Sequence, residues 1–186
     1  MVALETPQRQ LNRTAMDFAL KGTDGAIYHL ADVMGDNGLL VMFICNHCPY
    51  VQAVLPKIIR DATELKTMGI GIVAIMSNDV DNYPADDFTQ MQKWSKHYHF
   101  PFPYLLDDTQ NVAKAYGAVC TPDFFGYNGR LQEQYRGRID HSGIKNDPHA
   151  ERELFNAMAQ IAQLGIGPDI QYPSIGCSIK WKGKNS

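Results

Sequence analysis

The chain contains no apolar run approaching the roughly 18 residues of a membrane-spanning helix, no internal repeat, and no low-complexity block. No membrane helix is therefore expected. It also lacks an excess of basic residues: the formal net charge is -3. That balance gives nucleic acid or an anionic bilayer no electrostatic reason to bind. The first ten residues, Met1-Val-Ala-Leu-Glu-Thr-Pro-Gln-Arg-Gln, lack a charged segment followed by an apolar one. No signal peptide is expected, and a cytoplasmic location is.

Cysteine is scarce as well. Cys45, Cys48, Cys120 and Cys177 are the four in 186 residues. Outside a secretory setting this argues against a stapled disulfide scaffold, and two cysteines three apart beside two solitary ones suggest a redox or metal site. Hydrophobic residues make up 45% and charged residues 20%, an ordinary globular balance in a length that suits one domain with its own core.

Residues 15–20 and 26–30 alternate around Lys21-Gly22-Thr23-Asp24-Gly25 and predict two short strands joined by a tight turn. Residues 38–44 form a continuous apolar run, the mark of a strand buried on both faces. After Cys45-Asn46-His47-Cys48-Pro49, the residues Val51, Val54, Leu55, Ile58, Ile59 and Leu65 fall on one helical stripe, and Pro56 within it predicts a kink. A second buried strand follows at 70–76, then a polar loop, a helix over 85–97, a strand over 104–106 and a helix over 110–116. Residues 123–127 and 131–135 flank Asn128-Gly129, a hairpin signal. Asp147-Pro148 predicts the start of a last helix, with Asp147 as N-cap. The implied order, β-β-β-α-β-α-β-α-β-β-α, is that of an α/β fold with a mixed central sheet, helices on both faces and an N-terminal β-hairpin extension. The expected division is a loose arm over 1–14, a domain over 15–165 and a tail over 166–186 packed on it.

The pair Cys45 and Cys48 carries the chemistry. Thiol exchange needs one thiolate to attack and a second thiol to resolve the mixed disulfide. Cys45 stands where a buried strand ends and Cys48 where a helix begins, and unpaired N–H groups there stabilise a thiolate. Cys45 is expected to be the more exposed thiol and the nucleophile, Cys48 the buried resolver. Two other readings stand beside this one: half of a zinc site completed by His47, Cys120 or Cys177, and two inert buried thiols. His47 either stabilises the thiolate by its charge or is a solvent-exposed loop histidine. Cys120 is a third redox thiol or a small buried side chain. Cys177 could resolve a disulfide if the tail folds back, or anchor the tail by packing. From composition alone Thr121-Pro122 is an ordinary trans bond before a strand.

The segments Phe43-Ile-Cys-Asn-His-Cys-Pro49, Tyr116-Gly-Ala-Val-Cys-Thr-Pro-Asp-Phe-Phe125, Asn128-Gly-Arg-Leu131 and Pro173-Ser-Ile-Gly-Cys-Ser-Ile-Lys-Trp181 resemble the thioredoxin superfamily, in its peroxiredoxin-like AhpC/TSA branch. The resemblance implies a thioredoxin-like fold and an antioxidant or thiol–disulfide activity needing no cofactor or metal. It also implies a cis bond before Pro122, so that Thr121 presents its backbone to an extended substrate. Asn46, His47, Pro49, Cys120, Thr121 and Pro122 become supporting residues. The implied partners are a disulfide-containing protein or small molecule and a redox partner protein. Two departures are visible. No carboxylate lies on 39–44, where many relatives keep a proton acceptor. Aligned to the Pro-x-x-x-Thr-x-x-Cys motif of peroxiredoxins, Cys48 would be the peroxide-reactive thiol and Cys45 its resolver, with Val41 in place of the Pro. Arg136 and Arg138 are the candidate guanidiniums for such a pocket, or else solvated charges. A thioredoxin-fold binding module is the non-enzyme alternative.

Overall fold

The computed structural model describes residues 3–145 and 147–183. Strand β1 is Ala3–Glu5, β2 Ala19–Gly22 and β3 Ile27–His29; α1 is the short helix Leu30–Val33. Strand β4, Gly38–Phe43, leads through the cysteine pair into α2, Pro49–Thr67. Strand β5 is Ile70–Met76, followed by a 3-10 turn at Pro84–Asp86 and α3, Phe88–His97. Then come β6 Tyr104–Leu106, α4 Asn111–Tyr116, β7 Cys120–Thr121, β8 Asp123–Asn128 and β9 Glu133–Gly137. The chain closes with α5, Glu153–Leu164, and β10, Ile175–Ser178.

Strand β4 lies at the centre because all its residues are apolar or glycine and all are buried. It runs antiparallel to β8, pairing Leu39 with Tyr127 and Phe43 with Asp123, and β8 pairs in turn with β9. On the other side the Ile44 N–H donates to the Ile75 carbonyl at 3.1 Å, which ties the end of β4 to β5. Strand β5 is parallel to β6, β6 antiparallel to β2, and β2 antiparallel to β3. The hairpin β2–β3 thus extends the sheet beyond β6.

The period of two along a strand sends alternate side chains to opposite faces. Leu40, Met42 and Ile44 join α2 and α5 through Val54, Ile58, Leu154 and Met158. Leu39, Val41 and Phe43 join α1 and α4 through Leu30, Val33, Ala113 and Tyr116. Helices cover both faces, and the arrangement is thioredoxin-like.

Three local expectations are corrected. Residues 30–33 form a helical turn, held by the His29 N–H donating to the Asp32 carboxylate at 2.7 Å, a contact too local to show as periodicity. Pro56 lies inside α2 on its exposed face. The last helix begins at Glu153, not at Asp147, whose carboxylate instead closes a turn with the His149 N–H at 2.8 Å. Residues of the supposed loose arm and of the tail form a second small sheet, in which β10 lies between β1 and β7, both antiparallel to it.

Candidate active site

Cys45 stands one residue past the end of β4, after Ile44, and Cys48 is the N-cap of α2 with Pro49 at its first turn. Proline suits that position because its missing N–H would have no partner there. The Cys48 carbonyl takes the Gln52 N–H at 2.9 Å and starts the helix. Both thiols face Thr121, brought from far along the chain by β7. Sγ of Cys45 lies 3.4 Å from Oγ1 of Thr121, and Sγ of Cys48 lies 3.1 Å from its carbonyl oxygen. The Thr121–Pro122 bond is cis.

Cys45 is not the exposed thiol expected from its place in the sequence. It is 1% exposed and Cys48 is 0% exposed, because Thr121 and the tail cover the junction. Each thiol acts on the other's ionisation. The neighbouring Cys48, then burial, then the charge of Asp86 hold Cys45 well above the usual thiol range. Cys45, with Thr121 and the Val51 N–H at the helix N-terminus, draws Cys48 down to about 5 against its burial. The pair therefore gives up one proton readily and keeps the other.

A carboxylate absent from the strand before the pair is supplied by another element. Asp86, fully buried in the 3-10 turn, accepts from the N–H of Asn46 at 2.8 Å and of His47 at 3.2 Å. Its second oxygen meets Nδ1 of His47 at 2.6 Å and Nδ2 of Asn78 at 2.8 Å. Burial raises its pKa, but the bonds from His47 and Asn78 outweigh that and hold it below the ordinary value. His47 is thus no solvated loop histidine: its side chain is 20% exposed, stacked on Tyr83 and 4.0 Å from Sγ of Cys45. Asn46 takes the Tyr104 hydroxyl at 3.1 Å and donates to the Ala85 carbonyl at 3.0 Å. The loop between the cysteines is thereby fixed from below. The sequence did hold a signal for Asp86. Of the adjacent pair Asp86 and Asp87, the second caps α3 through the Gln90 N–H, which leaves the first without a capping task.

The donor atoms of Cys45, His47 and Asp86 lie within 4.8 Å of one another. This differs from the zinc set built on His47, Cys120 and Cys177, and it offers three ligands where a structural zinc takes four. The Asp86 oxygens are moreover already engaged. Cys120 is buried, with its thiol 3.8 Å from the Pro122 carbonyl and its pKa raised by burial. Cys177 is buried in the same cluster as Cys45 and Cys48. The two arginines are neither solvated nor turned to the thiols. Arg136 is buried in an ion pair with Asp123 at 2.9 Å, and Arg138 is paired with Glu153 at 2.7 Å.

The AhpC/TSA family model matches residues 11–142. An uncharacterized conserved protein from Geobacillus kaustophilus, of known crystal structure, superposes with a TM-score of 0.93 at 41% identity, covering 100% of this chain and 99% of that one. The thiol-disulfide oxidoreductase ResA of Halalkalibacterium halodurans is 26% identical over 108 residues, 58% of this chain. The chain spans 57% of that relative's length. A secreted disulfide oxidoreductase of Mycobacterium tuberculosis shares the fold at a TM-score of 0.57 and 19% identity, over 79% of this chain and 96% of that one.

Proposed function

The chain belongs to the AhpC/TSA family, and from that premise we propose that it exchanges the dithiol of Cys45 and Cys48 for the disulfide of a protein or small molecule, with a second redox protein returning the electrons. The observation that carries this reading is the pair of thiols at the N-terminus of α2, both turned to Thr121.

The resting pair holds one proton between its two sulfurs. In the form that attacks a substrate disulfide the proton sits on Cys48, whose S–H donates to the Thr121 carbonyl, and the Cys45 sulfur is the nucleophile. A Cys45–substrate disulfide forms, and the first substrate sulfur leaves and takes up a proton. Cys48 then gives up its proton and attacks Cys45, which closes the Cys45–Cys48 bond and releases the second substrate sulfur as a thiol. Two electrons have moved from the pair to the substrate. In the return step a donor thiol attacks Cys45 and expels Cys48. The more acidic sulfur is the better leaving group, which supports keeping the mixed disulfide on Cys45. Asp86, through His47 and Asn46, positions the loop that aims Cys45.

Reduction of insulin disulfides with dithiothreitol as donor tests this reading. The wild-type chain is expected to accelerate it, and Cys45→Ser to lose the acceleration. Equal rates for the two would overturn the assignment. A second reading, peroxide reduction with Cys48 as the reactive thiol and Cys45 as resolver, is favoured by the lowered pKa of Cys48. Against it stands the engagement of both candidate guanidiniums in other ion pairs, Arg136 with Asp123 and Arg138 with Glu153. Hydrogen peroxide consumption with dimedone labelling of Cys48 separates the two.

A further inference from the structure

The C-terminal strand lies where an extended substrate would be expected to pair. Strand β10 runs antiparallel to β7, with Cys177 opposite Thr121 and Ser178 opposite Cys120. This is the residue that precedes Pro122 and faces both thiols. The approach is close enough to require a glycine: a Cβ at Gly176 would stand 2.0 Å from the Thr121 carbonyl oxygen. The outer edge of β10 is held by β1, which pairs Ala3 with Cys177. Cys177 is 3% exposed and packs in the same cluster as Cys45 and Cys48. An added strand with a cysteine at the residue facing the redox pair is the arrangement that main-chain recognition of a peptide produces, here made within one chain.

We propose that Cys177 is a third redox thiol, presented by β10 in the manner of a substrate cysteine, which takes over the disulfide of the pair by bonding to Cys48. The proposal rests on the exchange chemistry of Cys45 and Cys48. The sulfur of Cys177 attacks Sγ of Cys48 in the Cys45–Cys48 disulfide, the Cys48–Cys177 bond forms, the Cys45–Cys48 bond breaks, and Cys45 leaves as a thiolate. The proton given up by Cys177 passes to Cys45. No electrons enter or leave the chain; the disulfide moves. The product ties β10 covalently across β7 and returns Cys45 as a free thiol. In the reduced state burial, followed by the neighbouring Cys48, pushes Cys177 up to about 12, so it keeps its proton until the pair is oxidised.

The test is disulfide mapping. The full-length Cys45→Ser variant, dilute and folded, is oxidised with diamide, its remaining thiols are blocked with N-ethylmaleimide, and its peptides are analysed by mass spectrometry. An intramolecular Cys48–Cys177 peptide pair is expected in more than half of the chains, and none in the Cys45→Ser/Cys177→Ser double variant. The wild-type chain, oxidised by one equivalent, is expected to give the same pair beside Cys45–Cys48. Should Cys45→Ser not fold, the wild-type map decides. The proposal is overturned if Cys177 is fully labelled by N-ethylmaleimide in the oxidised chains while Cys48 is free or joined to another molecule. That result, with insulin reduction intact, removes this inference alone. A Cys48–Cys177 bond in a chain that does not reduce insulin leaves it standing and removes the proposed function.

Discussion

Thr121 offers its carbonyl oxygen to Sγ of Cys48 at 3.1 Å, across 73 positions of sequence. The same residue turns its hydroxyl to Cys45 at 3.4 Å. One side chain and one carbonyl thus meet two thiols that share a proton, and the pair's chemistry depends on what Thr121 presents.

Replacing Thr121 with Val keeps the branched shape suited to a strand and removes the hydroxyl. Loss of one buried hydrogen bond costs about 0.5–1.5 kcal/mol, to be read in a urea melt. The hydroxyl lowers the pKa of Cys45, so its removal raises it further. Disulfide reduction at neutral pH is expected to slow in the variant, and an unchanged rate would remove the hydroxyl from the mechanism.

The pair's first proton has its own pH signature. A thiol drawn down to about 5 is charged above that pH and neutral below it. Iodoacetamide should therefore modify the pair at a rate that changes little from pH 8 to pH 6 and falls as the pH drops through about 5. Cys177, pushed up to about 12, should remain unmodified across that range in the folded chain. An ordinary thiol would instead lose about tenfold in rate for each pH unit below its pKa near 8.5.

Asp86→Asn removes the negative charge that helps raise Cys45. The pH at which the second thiol of the pair titrates is expected to fall. An amide also sets an N–H donor against either Nδ2 of Asn78 or the backbone donors of Asn46 and His47, and one buried donor left unsatisfied costs about 1–3 kcal/mol. A stability loss with no movement of the pH profile would make Asp86 a structural residue only.

The buried pair of Arg136 and Asp123 gives a control away from the thiols. Burial pushes Asp123 up to about 6 against the opposing charge of Arg136. Arg136→Ala leaves that carboxylate buried and unpaired, and a loss of about 3–5 kcal/mol is expected in denaturant unfolding. Replacing both partners, Asp123→Leu with Arg136→Met, should recover much of it.

The central strands were legible because a buried strand needs little but its own apolar run: the expected 38–44 and 70–76 meet Gly38–Phe43 and Ile70–Met76 almost residue for residue. The strand-to-helix junction at the cysteines was legible for the same reason, since Pro49 and the apolar stripe of α2 mark its start. What failed depended on partners distant in sequence. Cys45 is buried, not exposed, because its cover comes from Thr121 and from the His47 ring that Asp86 holds. Strand β10 itself has no alternating pattern of its own and exists through pairing with β1 and β7. Asp86 acts through four hydrogen bonds, three of them to a loop about forty positions earlier, and no local periodicity encodes that. The start of α5 was misplaced because Asp147-Pro148 reads as a helix cap but closes a turn.

The most direct test of the central claim is a redox titration of the wild-type chain in glutathione buffers, with blocked thiols and mapped peptides at each point. The account predicts one two-electron transition in which the loss of the Cys48 thiol equals the combined loss at Cys45 and Cys177 while Cys120 stays reduced, with a glutathione adduct accumulating on Cys45 when Cys48 is replaced by Ser. A Cys48 that titrates apart from both of these partners, or an adduct on neither Cys45 nor Cys48, would contradict it.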